Sequence, residues 1–148
     1  MQMVWSNELE TGISEIDNGN RKIVDCINNL SAAKAVGNRD ELVAVIERLL
    51  DHVCNQFMLE EHMMEEAGYA YHKAHEKVHE VFAKKLAELR GRVQAGESPF
   101  DDVISMLTHW VEGHIQNEDK MYADTVLVKI RQEGGDSWVT GVMKKLFG

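Results

Sequence analysis

The sequence predicts an all-α protein, and three observations support that prediction. The chain has 148 residues, 44% of them apolar, which is enough for one hydrophobic core. Its only proline is Pro99, and runs of β-branched residues are few, so long stretches are free to form helices. Apolar residues recur at three-to-four spacing between glycines, as in helices with one buried face. We expect one domain over residues 1–148, an up-down-up-down bundle of four long helices.

An N-terminal arm and a short C-terminal helix should complete the bundle. Residues 1–16 lack helical periodicity, but Trp5, Ile13 and Ile16 need burial, so the arm is predicted to lie across the helices. Capping residues and glycines predict helices from Asp17 (as N-cap) or Asn18 to Val36, Asn38 to Ala67, Tyr71 to Ala95, Pro99 to Gln132, and Asp136 or Ser137 onward. The predicted inward residues of helix three are Val78, Phe82, Leu86, Leu89 and Val93. The last helix is expected to dock back on the bundle, with a protein partner as the alternative.

Charge excludes two classes of partner. The formal net charge is −9 and the pI is about 5.2, whereas nucleic acids and anionic membranes attract basic proteins. No window is apolar enough for a membrane span, and we expect a cytoplasmic protein. Cys26 and Cys54 do not form a CxxC pair, and we expect both to be reduced, buried thiols.

Histidines and carboxylates on the predicted inward faces indicate a metal site. His75 and His79 are one helical turn apart, which places both imidazoles on one helix face. Glu60 and His114 also fall on inward stripes. A single histidine there is usually an ordinary core residue, but several ionisable groups buried without partners would be costly. We therefore predict a metal centre, and we expect His62, His72 and His109 to be solvated.

The fourth helix leaves its acidic ligand open. Spacing alone pairs His114 with Glu118, four residues later. Asp119 is five residues from His114, a rotation of about 140° in an ideal helix, so it can join the site only from the flank or through a local bulge.

Several stretches resemble one family, the hemerythrins, and in particular the bacterial single-domain hemerythrin-like proteins. The resemblance covers nearly the whole chain. It rests on a tryptophan near the start and on GISEIDNGNRKIVDCIN, QFMLEEHMM, YAYHKAHEKVH and HWVEGHIQNEDKMY. The last two are similar to the family's H-x-x-x-H and H-x-x-x-x-D signatures. The resemblance implies a four-helix bundle that holds a non-heme diiron centre and binds dioxygen reversibly.

Site residues carry over from this resemblance by position. The family's three-histidine iron would be held by His75, His79 and His114. The two bridging carboxylates match Glu60 and Asp119, so the resemblance favours Asp119 where spacing favours Glu118. The positions that wall the dioxygen pocket match Trp110 and Val111, and Tyr122 matches a tyrosine near the fourth-helix ligand.

Two positions depart from the family pattern. The family's ID-x-Q-H is IDNGN here, which puts Asn20 in place of a histidine. Its H-F-x-x-E-E is QFMLEE, which puts Gln56 in place of another. In the family both histidines complete the shell of the second iron, and amide oxygens are poorer iron ligands than imidazole. We expect that site to bind weakly or not at all, with His52, one turn before Gln56, as a candidate substitute.

Three functions remain open on the sequence. The first is a hemerythrin-like iron protein that binds dioxygen or a related small ligand at a carboxylate-bridged centre with a depleted second site. The second is a mononuclear iron or zinc protein for sensing, storage or redox chemistry such as peroxide reduction, with Asn20 and Gln56 as hydrogen-bonding outer residues. The third is a metal-free interaction module. We expect a binding protein rather than an enzyme, and the sequence does not set the number of metal ions or the oligomeric state.

Overall fold

Helices make up all the regular structure in the computed structural model, which describes residues 2–148. They are a 3₁₀ turn (Asn7–Leu9), α1 (Ser14–Ala35), α2 (Arg39–Glu66), α3 (His72–Gln94), α4 (Phe100–Trp110), a π-helical segment (Val111–Glu118), α5 (Asp119–Gln132) and α6 (Asp136–Phe147). The prediction of an all-α protein is confirmed. Among the described residues, no helix is both long and apolar enough to cross a membrane.

The ends of the long helices follow the signals in the sequence. Asn38 is the N-cap of α2, and its side chain accepts a hydrogen bond from the Glu41 N–H at 3.1 Å. After α2 and α3 the chain turns at Gly68 (φ +73°) and Gly96 (φ +92°). Backbone of this left-handed kind favours glycine, which explains why both helices end there.

The first helix begins earlier than predicted, and Asp17 is not its N-cap. Helix α1 begins at Ser14, with Ile13 as the capping residue. The Asp17 carboxylate instead accepts hydrogen bonds from the N–H and hydroxyl of Thr11, both at 2.8 Å, and from the Gly12 N–H at 3.1 Å. It thus satisfies donors of the arm just before the helix, which lets the helix begin upstream of the aspartate.

The N-terminal arm lies against the helices, as predicted. The Met3 N–H donates to Asn28 Oδ1 at 2.7 Å, and Asn28 Nδ2 donates to the Met3 carbonyl at 2.8 Å. Trp5 packs on the core with the Arg21 guanidinium 4.9 Å from its ring centre. Ile13 and Ile16 are buried.

Two apolar clusters fill the interior, one after the other along the helices. The first is built from α1 to α4 and includes Leu30, Leu49, Phe57, Leu86 and Leu107. The second lies where α1, α2, α5 and α6 meet and includes Ile16, Met63, Tyr122, Val126 and Val139. On α2 the change from the first cluster to the second falls between Phe57 and Leu59, and the buried Glu60 follows directly after it. Polar side chains are therefore buried at the junction of two apolar regions.

Helix α6 docks back on the chain, and two smaller predictions are wrong. Val139 and Val142 are buried in the second cluster, and α6 packs on α2. Val78, predicted to face inward, is 39% exposed because α3 leaves a groove beside α4 rather than closing on it. Cys26 is buried as expected, but Cys54 is exposed because it lies on the outer face of α2.

Candidate metal centre

The predicted fourth helix is interrupted by a π-helical segment at the metal site. Over Val111–Glu118 the helix widens, and the Asp119 N–H donates to the carbonyl of His114, five residues earlier. A π-type bond of this kind brings residues five apart onto one face, which an α-helix does not do. Asp119 is 1% exposed, whereas the Glu118 side chain is 48% exposed. Of the two acids that spacing left as alternatives, Asp119 therefore faces the interior and Glu118 faces outward.

Three histidines and one aspartate converge in the interior. The atoms that His75, His79, His114 and Asp119 offer as ligands all lie within 4.8 Å of one another, and all four residues are buried. Asp119 Oδ1 lies 3.0 Å from His114 Nε2 and 3.2 Å from His75 Nε2. His79 Nε2 lies 3.2 Å from His114 Nε2. Glu60 is not part of this cluster of four.

The donor set fits a transition-metal ion. Metal–nitrogen bonds of about 2.1 Å place neighbouring ligand atoms roughly 3–4 Å apart, which matches these separations. Two of the atoms concerned, His75 Nε2 and Asp119 Oδ1, are buried without a hydrogen-bond partner among the described residues. Burial of unsatisfied groups is costly, and a shared cation would satisfy both. Burial also lowers the pKa of His79, which keeps its imidazole in the neutral form that metals bind.

Aromatic rings hold the imidazoles in place. Phe57 stacks on His79, with ring centres 3.7 Å apart and planes 3° apart. Trp110 stacks on His114 at 3.8 Å and 21°. Tyr122 lies beside His75 at 5.3 Å. Packing of this kind restricts the ring orientations before any ion binds.

Acidic side chains face the outer nitrogens of two histidines. The Glu118 carboxylate is hydrogen-bonded to Nδ1 of His114, while Nε2 of that ring faces the cluster. Glu61 lies 3.9 Å from Nδ1 of His79. A carboxylate on the outer nitrogen fixes the imidazole tautomer and raises the basicity of the inner nitrogen. Glu118 is therefore placed to support His114 from outside.

Glu60 lies beside the cluster and is held by Tyr122. The Tyr122 hydroxyl donates to Glu60 Oε1 at 2.9 Å, and both side chains are buried. Burial and the nearby Asp119 raise the pKa of Glu60 well above 4.5. Burial also acts to raise the pKa of Asp119, but the close contacts of its carboxylate with the His114 and His75 imidazoles outweigh it and leave that pKa below 3.8. The two acids thus form an electrostatically coupled pair in which Asp119 is the charged member.

The amides at the two departing positions bond to each other. Asn20 and Gln56 are 1% and 4% exposed. Gln56 Nε2 donates to the Ile16 carbonyl at 2.9 Å and to Asn20 Oδ1 at 3.1 Å. His52 is half-buried and lines a cavity of about 300 Å³ on the outer side of Gln56. His52 does not belong to the four-residue cluster.

An apolar groove leads from the surface to the cluster. It encloses about 630 Å³ between α3 and α4 and is lined by Val78, Phe82, Trp110 and His114, among others. Trp110, carried over as a pocket residue, lies in this groove. Val111 and Tyr122 are fully buried and do not line it.

Of the other histidines, His109 is exposed, whereas His62 and His72 are half-buried and pair with Glu66 and Glu76.

Sequence reasoning missed two supporting residues. Phe57 lies three residues before Glu60 on α2, and this spacing was the available signal for a site role. Glu118 was weighed only as a ligand; its spacing from His114 did indicate the contact, and the structure shows that the contact is to the outer nitrogen.

Fold and site together define a helical protein with a buried cluster of histidines and a carboxylate suited to a metal ion. Residues 11–126 match the Hemerythrin HHE cation binding domain. A bacteriohemerythrin of Pseudomonas aeruginosa (strain LESB58) is 41% identical over 152 residues, covering 99% of this chain and 98% of that protein. Another, of Stenotrophomonas maltophilia (strain R551-3), is 38% identical and covers the same shares. The crystal structure of wild-type hemerythrin superimposes with a TM-score of 0.80 at 30% identity, covering 85% of this chain and 98% of that one. The chain belongs to the hemerythrin family.

Proposed function

We propose that this chain is a non-heme iron protein that binds dioxygen or a related small ligand at one firmly held iron ion. The observation that carries the proposal is the convergence of His75, His79, His114 and Asp119 within 4.8 Å in a buried site. Three imidazoles and one carboxylate suit iron, and they suit zinc as well. Membership of the hemerythrin family favours iron.

The other site residues have supporting roles in this proposal. Glu60 supplies a second carboxylate next to Asp119, and the Tyr122 hydroxyl holds it in place. Trp110 stacks on His114 at the inner end of the groove, which gives a small ligand an apolar route to the site. The four long helical rods that hold these residues form, in this proposal, an up-down-up-down bundle.

The preference for one iron rests on the two amides. In the resemblance, Asn20 and Gln56 stand where family members have histidines for a second iron. Here the Gln56 amide is already bonded to Ile16 and Asn20. The Asn20 oxygen is thus already bonded to Gln56, and an amide oxygen is a weaker iron ligand than imidazole nitrogen.

A diiron centre is the second candidate, and one observation favours it. Glu60 and Asp119 are both buried and lie close enough for the charge of Asp119 to raise the pKa of Glu60, so two metal ions could share these carboxylates. In that case His52 would have to reach the interior past Gln56. The hydrogen bonds of Gln56 oppose such a movement, so we rank this candidate below the single-iron site.

Each part of the chain has a defined task in the proposed function. When bound, iron supplies the open coordination position and the electrons that a ligand such as dioxygen requires. The three histidines would hold the ion, the aromatic rings restrict the orientation of their imidazoles, and the apolar groove gives a small ligand a route to His114. No hydrolytic or group-transfer residue set is needed, which agrees with a binding protein.

Titration of the metal-free chain with ferrous iron under nitrogen tests the proposal. We expect saturation at about one iron per chain, because one complete ligand set is present. Admission of dioxygen should then change the visible absorption spectrum, and the change should reverse when oxygen is removed. Failure to bind ferrous iron would refute the proposal and favour the interaction module. An irreversible spectral change would favour redox chemistry over oxygen binding.

A further inference from the structure

The orientation of both buried amides is determined by one backbone group. The Ile16 carbonyl can only accept, so the Gln56 atom 2.9 Å from it must be the Nε2 donor. The same nitrogen lies 3.1 Å from the Asn20 side chain, which must therefore present Oδ1 to it. Asn20 Nδ2 is then left as a buried donor with no partner among residues 2–148. The Asn20 oxygen is therefore occupied by Gln56, and Gln56 directs its nitrogen, not its oxygen, toward Asn20.

The remaining oxygen of Gln56 lies directly over Gly19. A Cβ atom built on Gly19 would lie 1.7 Å from Gln56 Oε1 and 2.6 Å from its Cδ. Contacts under 3.0 Å are essentially never seen for real Cβ atoms, so no other residue at position 19 is compatible with this Gln56 conformation. Gly19 lies inside α1, where glycine is a poor choice for helix stability. Its presence there is explained by the space that Gln56 occupies.

Gln56 also separates a cavity from the interior. The cavity of about 300 Å³ between α1, α2 and α6 is lined by Gly19, His52 and Gln56, among others. Asn20 does not line it and is 1% exposed. The Gln56 side chain therefore lies between this cavity and the buried Asn20.

We propose that Gly19 and Gln56 form an interlocked pair that closes the seam between α1 and α2 and keeps the second metal position shut. The proposal rests on the single-iron site proposed above, and it gives a structural reason why a second ion would find no ligand at Asn20 and Gln56. The pair is thus a specificity-determining element for metal number.

A double-mutant cycle on the full chain tests the interlock. The variants are Gly19→Ala, Gln56→Ala and the double variant, and the control is Gly91→Ala, a helical glycine where an added methyl group would meet nothing within 4 Å. Gly19→Ala should lower the thermal midpoint because the methyl group displaces Gln56 from its hydrogen bonds. The same change in the Gln56→Ala background, like the Gly91→Ala control, should raise it because alanine favours a helix interior. An equal effect of Gly19→Ala in both backgrounds would overturn the interlock. If Gly19→Ala alone does not fold, recovery of folding in the double variant supports the interlock and continued failure overturns it.

Cobalt titration of the wild type and of the Asn20→His, Gln56→His double variant separates this inference from the proposed function. The wild type should bind about one cobalt ion per chain, and Asn20→His with Gln56→His should bind about two, because the pair is then opened and two imidazoles are added. A second ion bound by the wild type would overturn the closed position. Absence of any ion in the wild type, with the thermal coupling intact, would overturn the proposed function and leave the interlock in place.

Discussion

Replacing Glu118 with glutamine tests whether the outer carboxylate supports the metal site. Glutamine has nearly the same shape, and its amide oxygen can still accept a hydrogen bond from His114 Nδ1. The substitution therefore removes the negative charge and little else. Because the Glu118 carboxylate lies on the outer nitrogen and not in the cluster of four, the ligand set itself is unchanged.

The expected loss is about tenfold in metal affinity, or ~1.4 kcal/mol. Removal of an outer partner of a metal-binding histidine typically weakens binding by about 10- to 100-fold. The Glu118 side chain is 48% exposed, so water screens its charge and the lower end of that range applies. A fully buried carboxylate in the same place would be expected to contribute more.

Competition between the protein and a chelator of known affinity, with cobalt as the probe, measures the change. Glu112→Gln is the matched control, since Glu112 is exposed and lies in the same π-helical segment but outside the cluster. It should bind cobalt with the wild-type dissociation constant. Wild-type affinity in Glu118→Gln would refute the supporting role, and an equal loss in both variants would show that general charge, not the contact with His114, is responsible.

Three further changes probe the site and its packing. His75→Ala should remove bound metal and lower the thermal midpoint. The free energy of unfolding should fall by about 2.7 kcal/mol when the free metal concentration is 100 times the dissociation constant. Equal metal content in variant and wild type would contradict the ligand assignment. Phe57→Ala should lower the free energy of unfolding in urea by about 3–5 kcal/mol, because this ring is 6% exposed and packs on His79; a loss below about 1 kcal/mol would show that the stack contributes little. Tyr122→Phe should cost about 1–3 kcal/mol in the same assay because Glu60 loses a buried donor; an unchanged value would mean that Glu60 finds another partner.

Much of the fold was accessible from the sequence because its signals are local. Glycines after apolar helical stretches mark the ends of α2 and α3, and Asn38 caps α2 as its residue type suggests. The predicted start of α1 is wrong because the Asp17 carboxylate accepts hydrogen bonds from Thr11 and Gly12, which precede the helix. The sequence pattern alone does not distinguish this use of an aspartate from an N-cap. The spacing of Val78 fits the apolar stripe of α3 and predicts an inward side chain. That prediction is wrong because α4 does not cover this side of α3.

The site was partly accessible for a similar reason. The spacing of His75 and His79 is a local helical property, and their burial confirms the predicted inward face. Asp119 could not be chosen over Glu118 from an ideal helix, because its position depends on the wider turn of the π-helical segment. The contact between Gly19 and Gln56 joins two helices across 37 positions of sequence, and no local pattern predicts it.

Elemental analysis of protein purified without oxygen and without added metal tests the central claim most directly. The single-iron account predicts about one iron per chain, held by His75, His79, His114 and Asp119, with little zinc. A value near two would show that the second position is occupied despite the amides and would return the diiron centre to first place. A value near zero that persists after reconstitution with ferrous iron would contradict the account.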